Sequence, residues 1–135
     1  MHQIYPDQGL VDLLTRMATA SLQYHLYTNA ATINRDTVLA DLTEMAITGY
    51  AAVTVAAASF TLSGVASHIG SLLAAPISFN NASGSPADAY GYYVTAAGGT
   101  HLLAVAQFDS APVTKADGES WLVTPIIGDF SELSS

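Results

Sequence analysis

Tyr90-Gly91-Tyr92-Tyr93-Val94-Thr95-Ala96-Ala97-Gly98-Gly99-Thr100-His101-Leu102-Leu103-Ala104-Val105-Ala106-Gln107-Phe108 is the stretch that decides the fold class. Tyr90, Tyr92 and Val94 alternate with Gly91, Tyr93 and Thr95, the period of two that sends successive side chains to opposite faces of a strand. Ala96-Ala97-Gly98-Gly99 is a tip of small residues, and alternation resumes at Thr100, so the whole reads as a β-hairpin. In its second arm Leu102, Ala104 and Ala106 share one face and His101, Leu103, Val105 and Gln107 the other. Apolar residues on both faces predict a central strand covered from both sides.

Outward from the hairpin, the same periodicity recurs between turn signals. Asp109-Ser110-Ala111-Pro112 and Lys115-Ala116-Asp117-Gly118-Glu119 are turns that lead into a strand at Trp121-Leu122-Val123-Thr124, which Ile126 and Ile127 extend. Upstream, Ile77-Ser78-Phe79 is a strand and Asn80-Asn81-Ala82-Ser83-Gly84-Ser85-Pro86 a loop. Leu22, Tyr24 and Leu26 alternate with Gln23, His25 and Tyr27 in a half-buried strand. Residues 28–36 form a loop and Thr37 to Leu42 a short helical turn. Thr43 to Val55 reads as a strand bent at Gly49, while Ala56 to Ala75 fits either short strands, the favoured reading, or a helix near the end of the segment. Only near the start does the period change: Leu10, Leu13, Leu14 and Met17 recur at helical spacing, with Asp7 placed to cap the helix. The expected architecture is mainly β, an antiparallel β-sandwich or jelly-roll-like barrel with one N-terminal amphipathic α-helix. Residues 1–8 would be an arm, and 9–135 a single β-sandwich domain that includes the helix at 9–19.

Composition bounds what such a domain can do. The chain has 135 residues, no cysteine, 3 basic and 11 acidic residues, and a formal net charge of -8. A thiol nucleophile, a disulfide framework and a zinc–cysteine cluster are excluded. Arg16, Arg35 and Lys115 are too few to neutralise a phosphate backbone, so nucleic acid is not an expected partner. Charged residues make up 10% and hydrophobic ones 50%, a low charge content that suits surfaces covered by neighbouring subunits. The longest apolar run, Ala51 to Leu62, is too short and too alanine-rich to span a bilayer, and the first residues lack the basic-then-apolar pattern of a secretory signal.

Candidate chemistry is sparse. His2, His25, His68 and His101 have no pair at the spacing that puts metal ligands on one helix face, although His25 and His101 could meet across a sheet. No Gly-x-Ser-x-Gly elbow is present, and Asp88, Asp109, Asp117, Glu119 and Asp129 sit near turns or ends, where acidic residues are solvated. Gly98-Gly99-Thr100 precedes a strand and no phosphate-loop lysine follows it. The expectation is therefore a protein without catalytic residues, cofactor or metal. Tyr90, Tyr92, Tyr93 and Trp121 form an aromatic group suited to a core, to a partner surface, or to stacking on a sugar.

Three segments carry a family resemblance: Leu26-Tyr27-Thr28-Asn29 with Thr37-Val38-Leu39-Ala40-Asp41-Leu42-Thr43-Glu44 and Thr48-Gly49-Tyr50; Tyr90-Gly91-Tyr92-Tyr93-Val94-Thr95; and Val123-Thr124-Pro125. Together they resemble small structural proteins of tailed bacteriophages. That resemblance implies a β-sandwich built into the virion as a capsid decoration (cement) protein, made in the host cytoplasm and bridging major capsid subunits. Copies of itself, as a homo-oligomer such as a trimer, would be further partners. The competing expectations are a tail-tip, baseplate or fibre-associated protein in host attachment, and a carbohydrate-binding module. The expected contacts lie on extensions outside the strand core, at Ile4, Tyr5, Leu10 and Leu13 in the arm and helix, and at Asn29, Ile33 and Arg35 in the loop. Tyr93, which points opposite to Tyr90 and Tyr92, is added to them.

Overall fold

The computed structural model describes residues 21–63, 70–98 and 102–130. The arm and the helix expected at 9–19 fall outside them, and with them Ile4, Tyr5, Leu10 and Leu13. The described chain is mainly β, with antiparallel sheets. Its described residues divide into two compact units, one formed by 22–55 with 78–122 and the other by 21, 56–63, 70–77 and 123–130. The chain passes between them four times, so neither unit is a contiguous stretch of sequence, in keeping with a composition that shows no break.

The larger unit is built on a four-stranded antiparallel sheet in the order β2-β1-β7-β8, from β1 (Leu22–Tyr27), β2 (Val53–Val55), β7 (Gly91–Ala96) and β8 (Leu102–Gln107). β1 follows its period: Leu22, Tyr24 and Leu26 are buried and Gln23 and His25 half-buried, with Tyr27 buried as well. β1 pairs with β7 from Leu22↔Ala96 to Tyr27↔Gly91, and β7 pairs with β8 as the predicted hairpin. Two strand pairs complete the unit, β6 (Ala87–Ala89) with β9 (Val113–Lys115) and β5 (Ile77–Asn80) with β10 (Ser120–Val123).

Two expectations are corrected here. β8 is an edge strand, not a central one: among the described residues nothing pairs along its outer side, and Leu103, Ala104 and Gln107 are exposed. The register also shifts between Val94↔Ala104 and Thr95↔Leu102, a bulge at Leu103 that breaks the alternation and turns Leu102 onto the side of Val105. The second correction concerns Thr43 to Val55, where only a bridge at Glu44 and the short β2 are strand. Gly49, at φ +90, turns the chain sharply, and Tyr50 N–H donates to the Ile47 carbonyl at 3.1 Å. A side chain at Gly49 would stand 2.6 Å from the Ala82 Cβ, so the position is closed sterically as well as conformationally.

The smaller unit holds β3 (Thr61–Ser63), β4 (Gly70–Leu73) and β11 (Ile126–Phe130) in the order β11-β4-β3, all antiparallel. The described parts of Ala56 to Ala75, residues 56–63 and 70–75, contain the favoured strands after a 3-10 turn at Ala57–Ser59. Ile126 and Ile127 pair with Leu73 and Leu72 as a separate strand, where the sequence suggested an extension of the preceding one. The Pro125 carbonyl, which accepts from Ala74 N–H at 3.1 Å, marks the break.

Candidate functional site

Residues 28–43 leave β1 and return to it as a loop closed at its base, of the compact kind whose ends meet and whose own side chains fill it. Thr28 N–H donates to the Thr43 carbonyl at 2.9 Å and Met45 N–H to the Leu26 carbonyl at 3.0 Å. Asn29 fastens the same joint with its side chain: Nδ2 donates to the Asp41 carbonyl and Oδ1 accepts from Thr43 N–H, both at 2.8 Å. Farther out, Asn34 Oδ1 accepts from Asp36 N–H at 2.8 Å, the local turn that asparagine favours. The expected helical turn is a 3-10 turn at Leu39–Asp41, where the Asp41 carboxylate accepts from Val38 N–H at 2.9 Å. Underneath, Ala31, Ile33 and Leu39 pack on a cluster of Tyr27, Leu42 and Tyr93 that Leu102 and Val105 of β8 complete. The outer surface is left to Asn34, Arg35, Asp36 and Val38.

The predicted contact residues therefore separate by role. Arg35 is exposed at the tip, whereas Asn29 clamps the base and Ile33 is a half-buried support. Tyr93, expected at the surface, is 5% exposed, because His25 stacks on its ring and Ala31, Ile33 and Leu39 of the loop pack on its cluster.

Beneath the loop base the sheet register collects a polar group on one face. His25 stands directly across from Tyr93, and their rings stack at 4.6 Å and 6°. Thr95 is two residues along β7, and Glu44, opposite Tyr27, is the diagonal neighbour of His25. His25 Nδ1 lies 2.8 Å from Glu44 Oε2, and Nε2 lies 3.1 Å from Thr95 Oγ1. With the Nδ1 proton on the carboxylate side, Thr95 O–H donates to Nε2. His101, the sequence's candidate to meet His25 across a sheet, lies outside the described residues, and the partner seen is Glu44.

A hydroxyl, an imidazole and a carboxylate in this order form the relay of a hydrolase. Thr95, however, is 2% exposed in the middle of a paired strand, and the imidazole lies against Tyr93. A substrate carbonyl has no approach to that oxygen, whereas a nucleophile must be presented on an open turn. What the group does instead is tie the returning loop to the sheet. Burial first, and then the charge of Glu44, push the Tyr93 hydroxyl up to about 12. Among the described residues no three His, Cys, Asp or Glu side chains gather as a metal site, and no helix is long and apolar enough to cross a membrane.

Tyr24 is likewise pushed up to about 12, by burial first and then by Tyr92, and burial raises Tyr27, Tyr50 and Tyr92. Tyr50 accepts a hydrogen bond from Leu26 N–H at 3.1 Å, while the buried hydroxyls of Tyr24 and Tyr27 have no partner. Because the folded values lie above the ordinary value of about 10, the native state keeps protons that an unfolded chain gives up. This stabilisation is whole below pH 10 and drains away as the pH climbs towards about 12. In an alkaline titration of tyrosinate absorbance we expect part of the seven tyrosines to ionise only together with loss of the β circular-dichroism signal. Ionisation of all seven near pH 10 with the fold intact would contradict this picture.

Glu44 and Thr95 were not singled out by sequence, although a signal for Glu44 existed. If the loop is taken as closed, Thr43 and Glu44 must return beside Tyr27, and the diagonal then falls on His25. Compared with known proteins, the chain matches no family model, and neither a curated protein nor a solved structure shows similarity to it.

Proposed function

We propose that this chain is a structural protein of a tailed-bacteriophage particle, a capsid decoration (cement) protein that bridges neighbouring major-capsid subunits. The phage assignment is supported by the resemblance of its three sequence segments. The packing role is supported by one observation above the others, the outer edge of β8. Its sequence, Leu-Leu-Ala-Val-Ala-Gln, has no charge and no proline, and Leu103 is 56% exposed beside backbone that pairs with no other strand among the described residues. Solitary proteins protect such edges with lysine, proline or a covering element, so an open one suits a chain whose edge is covered in an assembly. The clamped loop stands next to it and offers Arg35 and Val38 on a base that needs no further ordering on contact.

In this reading the sheets belong to a sandwich, copies associate as a homo-oligomer, and the His25–Glu44–Thr95 group is a fastening without catalytic use. A sugar-binding role loses its support because Tyr93 is buried and Tyr92 packs against Tyr24 and Phe108. Electron microscopy of the particle carries the test. Hundreds of copies on the head are expected, and a handful at the tail tip would transfer the chain to the attachment machinery. Leu103→Asp should weaken particle binding about tenfold, or ~1.4 kcal/mol, with an unchanged melting temperature. Full binding by that variant would remove β8 from the contact.

A further inference from the structure

β9 and β10 follow one another through the short turn 116–119, a connection that ordinarily closes a hairpin. Here the two strands part: β9 pairs with β6 and β10 with β5, and they do not pair with each other. Trp121 bridges them instead, its buried indole N–H donating to the Val113 carbonyl at 2.9 Å. The gap is an open cleft of about 360 Å³, walled by Val113 and Lys115 on one side and by Trp121 and Leu122 on the other, with Phe108 and Asp109 at the end of β8.

We propose that this cleft seats an extended segment of a partner protein carrying one carboxylate next to an aliphatic side chain. Two features of the lining select that chemistry. Lys115, one of only 3 cationic residues in the chain, is half-buried and forms no ion pair. A cation beside apolar walls gains from an anion held against the same walls. Leu122 is 72% exposed beside it, apolar surface that an aliphatic side chain would cover. Asp109 and the net charge of -8 act against a polyanion, so a single carboxylate fits where a phosphate chain or an acidic tract does not. The splayed strands set the shape, a slot for an extended backbone. This surface is separate from the β8 edge and stands or falls independently of the capsid reading.

The test uses the full chain, nitrogen-labelled, and follows the indole N–H of Trp121, its one tryptophan. The probes are the blocked heptapeptide Ac-Thr-Val-Glu-Val-Ile-Thr-Gly-NH2, its glutamine counterpart, and inorganic phosphate. The glutamate peptide should shift the indole signal saturably and bind about fivefold tighter than the glutamine peptide. In Lys115→Gln the two peptides should bind alike, and Leu122→Ser should weaken both about tenfold. Leu122 points to solvent and the ammonium of Lys115 holds nothing in the fold, so wild-type melting temperatures are expected of both variants. A missing shift at millimolar peptide, equal affinities on the wild type, or preserved discrimination in Lys115→Gln would each overturn the proposal. A saturable shift with phosphate would replace it with an anion site.

Discussion

Asn81→Ala is expected to cost about 3–5 kcal/mol, a large part of the ~5–15 kcal/mol that holds a domain of this size together. Asn81 is 1% exposed, and its side chain makes four hydrogen bonds. Nδ2 donates to the Ser85 carbonyl at 2.8 Å and to the Lys115 carbonyl at 2.9 Å, while Oδ1 accepts from Ser83 N–H at 3.0 Å and from Ser83 O–H at 2.7 Å. Its backbone N–H and carbonyl are engaged with Glu119 and Gly118. One residue thus joins the loop 81–86 to the turn 116–119. Each neutral bond contributes roughly 1 kcal/mol net, and truncation also leaves buried carbonyls without donors. Asn81→Asp keeps the shape but turns both donors into acceptors facing carbonyl oxygens, so it should be no milder. Ser83→Ala, which removes only the hydroxyl bonds, should cost about 1 kcal/mol. Urea unfolding of the three variants provides the comparison, and a loss below that of Ser83→Ala in Asn81→Ala would end the idea of a hub.

Asn81 also shows where sequence reading stops. Asn80-Asn81-Ala82-Ser83-Gly84-Ser85-Pro86 has the composition of a loop, and from Asn81 on it is one, but the same letters describe a solvated turn and a buried knot. What was legible was local. The alternation of β1, the turn that begins at Ala97-Gly98, the turns at 109–112 and 115–119, and the short helical turn before Leu42 each depend on residues a few positions apart. The position of a strand in its sheet does not. An apolar run such as β8 can come from a central strand or from an edge strand, and only the order of pairing tells them apart. Asp117 makes the same point among the carboxylates. Near a turn it reads as solvated, yet it accepts from Gly84 N–H at 2.9 Å and ties two distant loops.

Gly91→Ala is expected to be as damaging, for a reason of space rather than hydrogen bonding. Gly91 is paired with Tyr27 of β1 on one side and Gln107 of β8 on the other. A Cβ there would lie 2.0 Å from the Ala106 carbonyl oxygen and 2.8 Å from the ring edge and hydroxyl of Tyr27. The tyrosine is fully buried, and the carbonyl belongs to the backbone of a paired strand, so neither can withdraw without parting the sheet. Overpacking of this kind costs about 3 kcal/mol or more. For a chain of this length that corresponds to a melting temperature lower by roughly 10–15 °C. Gly98→Ala is the matched control: its φ is +73 but nothing lies within 4 Å of the new atom, so only backbone strain of about 1 kcal/mol is expected. Adding Tyr27→Phe to Gly91→Ala isolates the hydroxyl, because the ring edge and the carbonyl stay in place. If the carbonyl and the ring edge decide, the double variant recovers little of the loss, whereas full recovery would assign the glycine to the tyrosine hydroxyl alone.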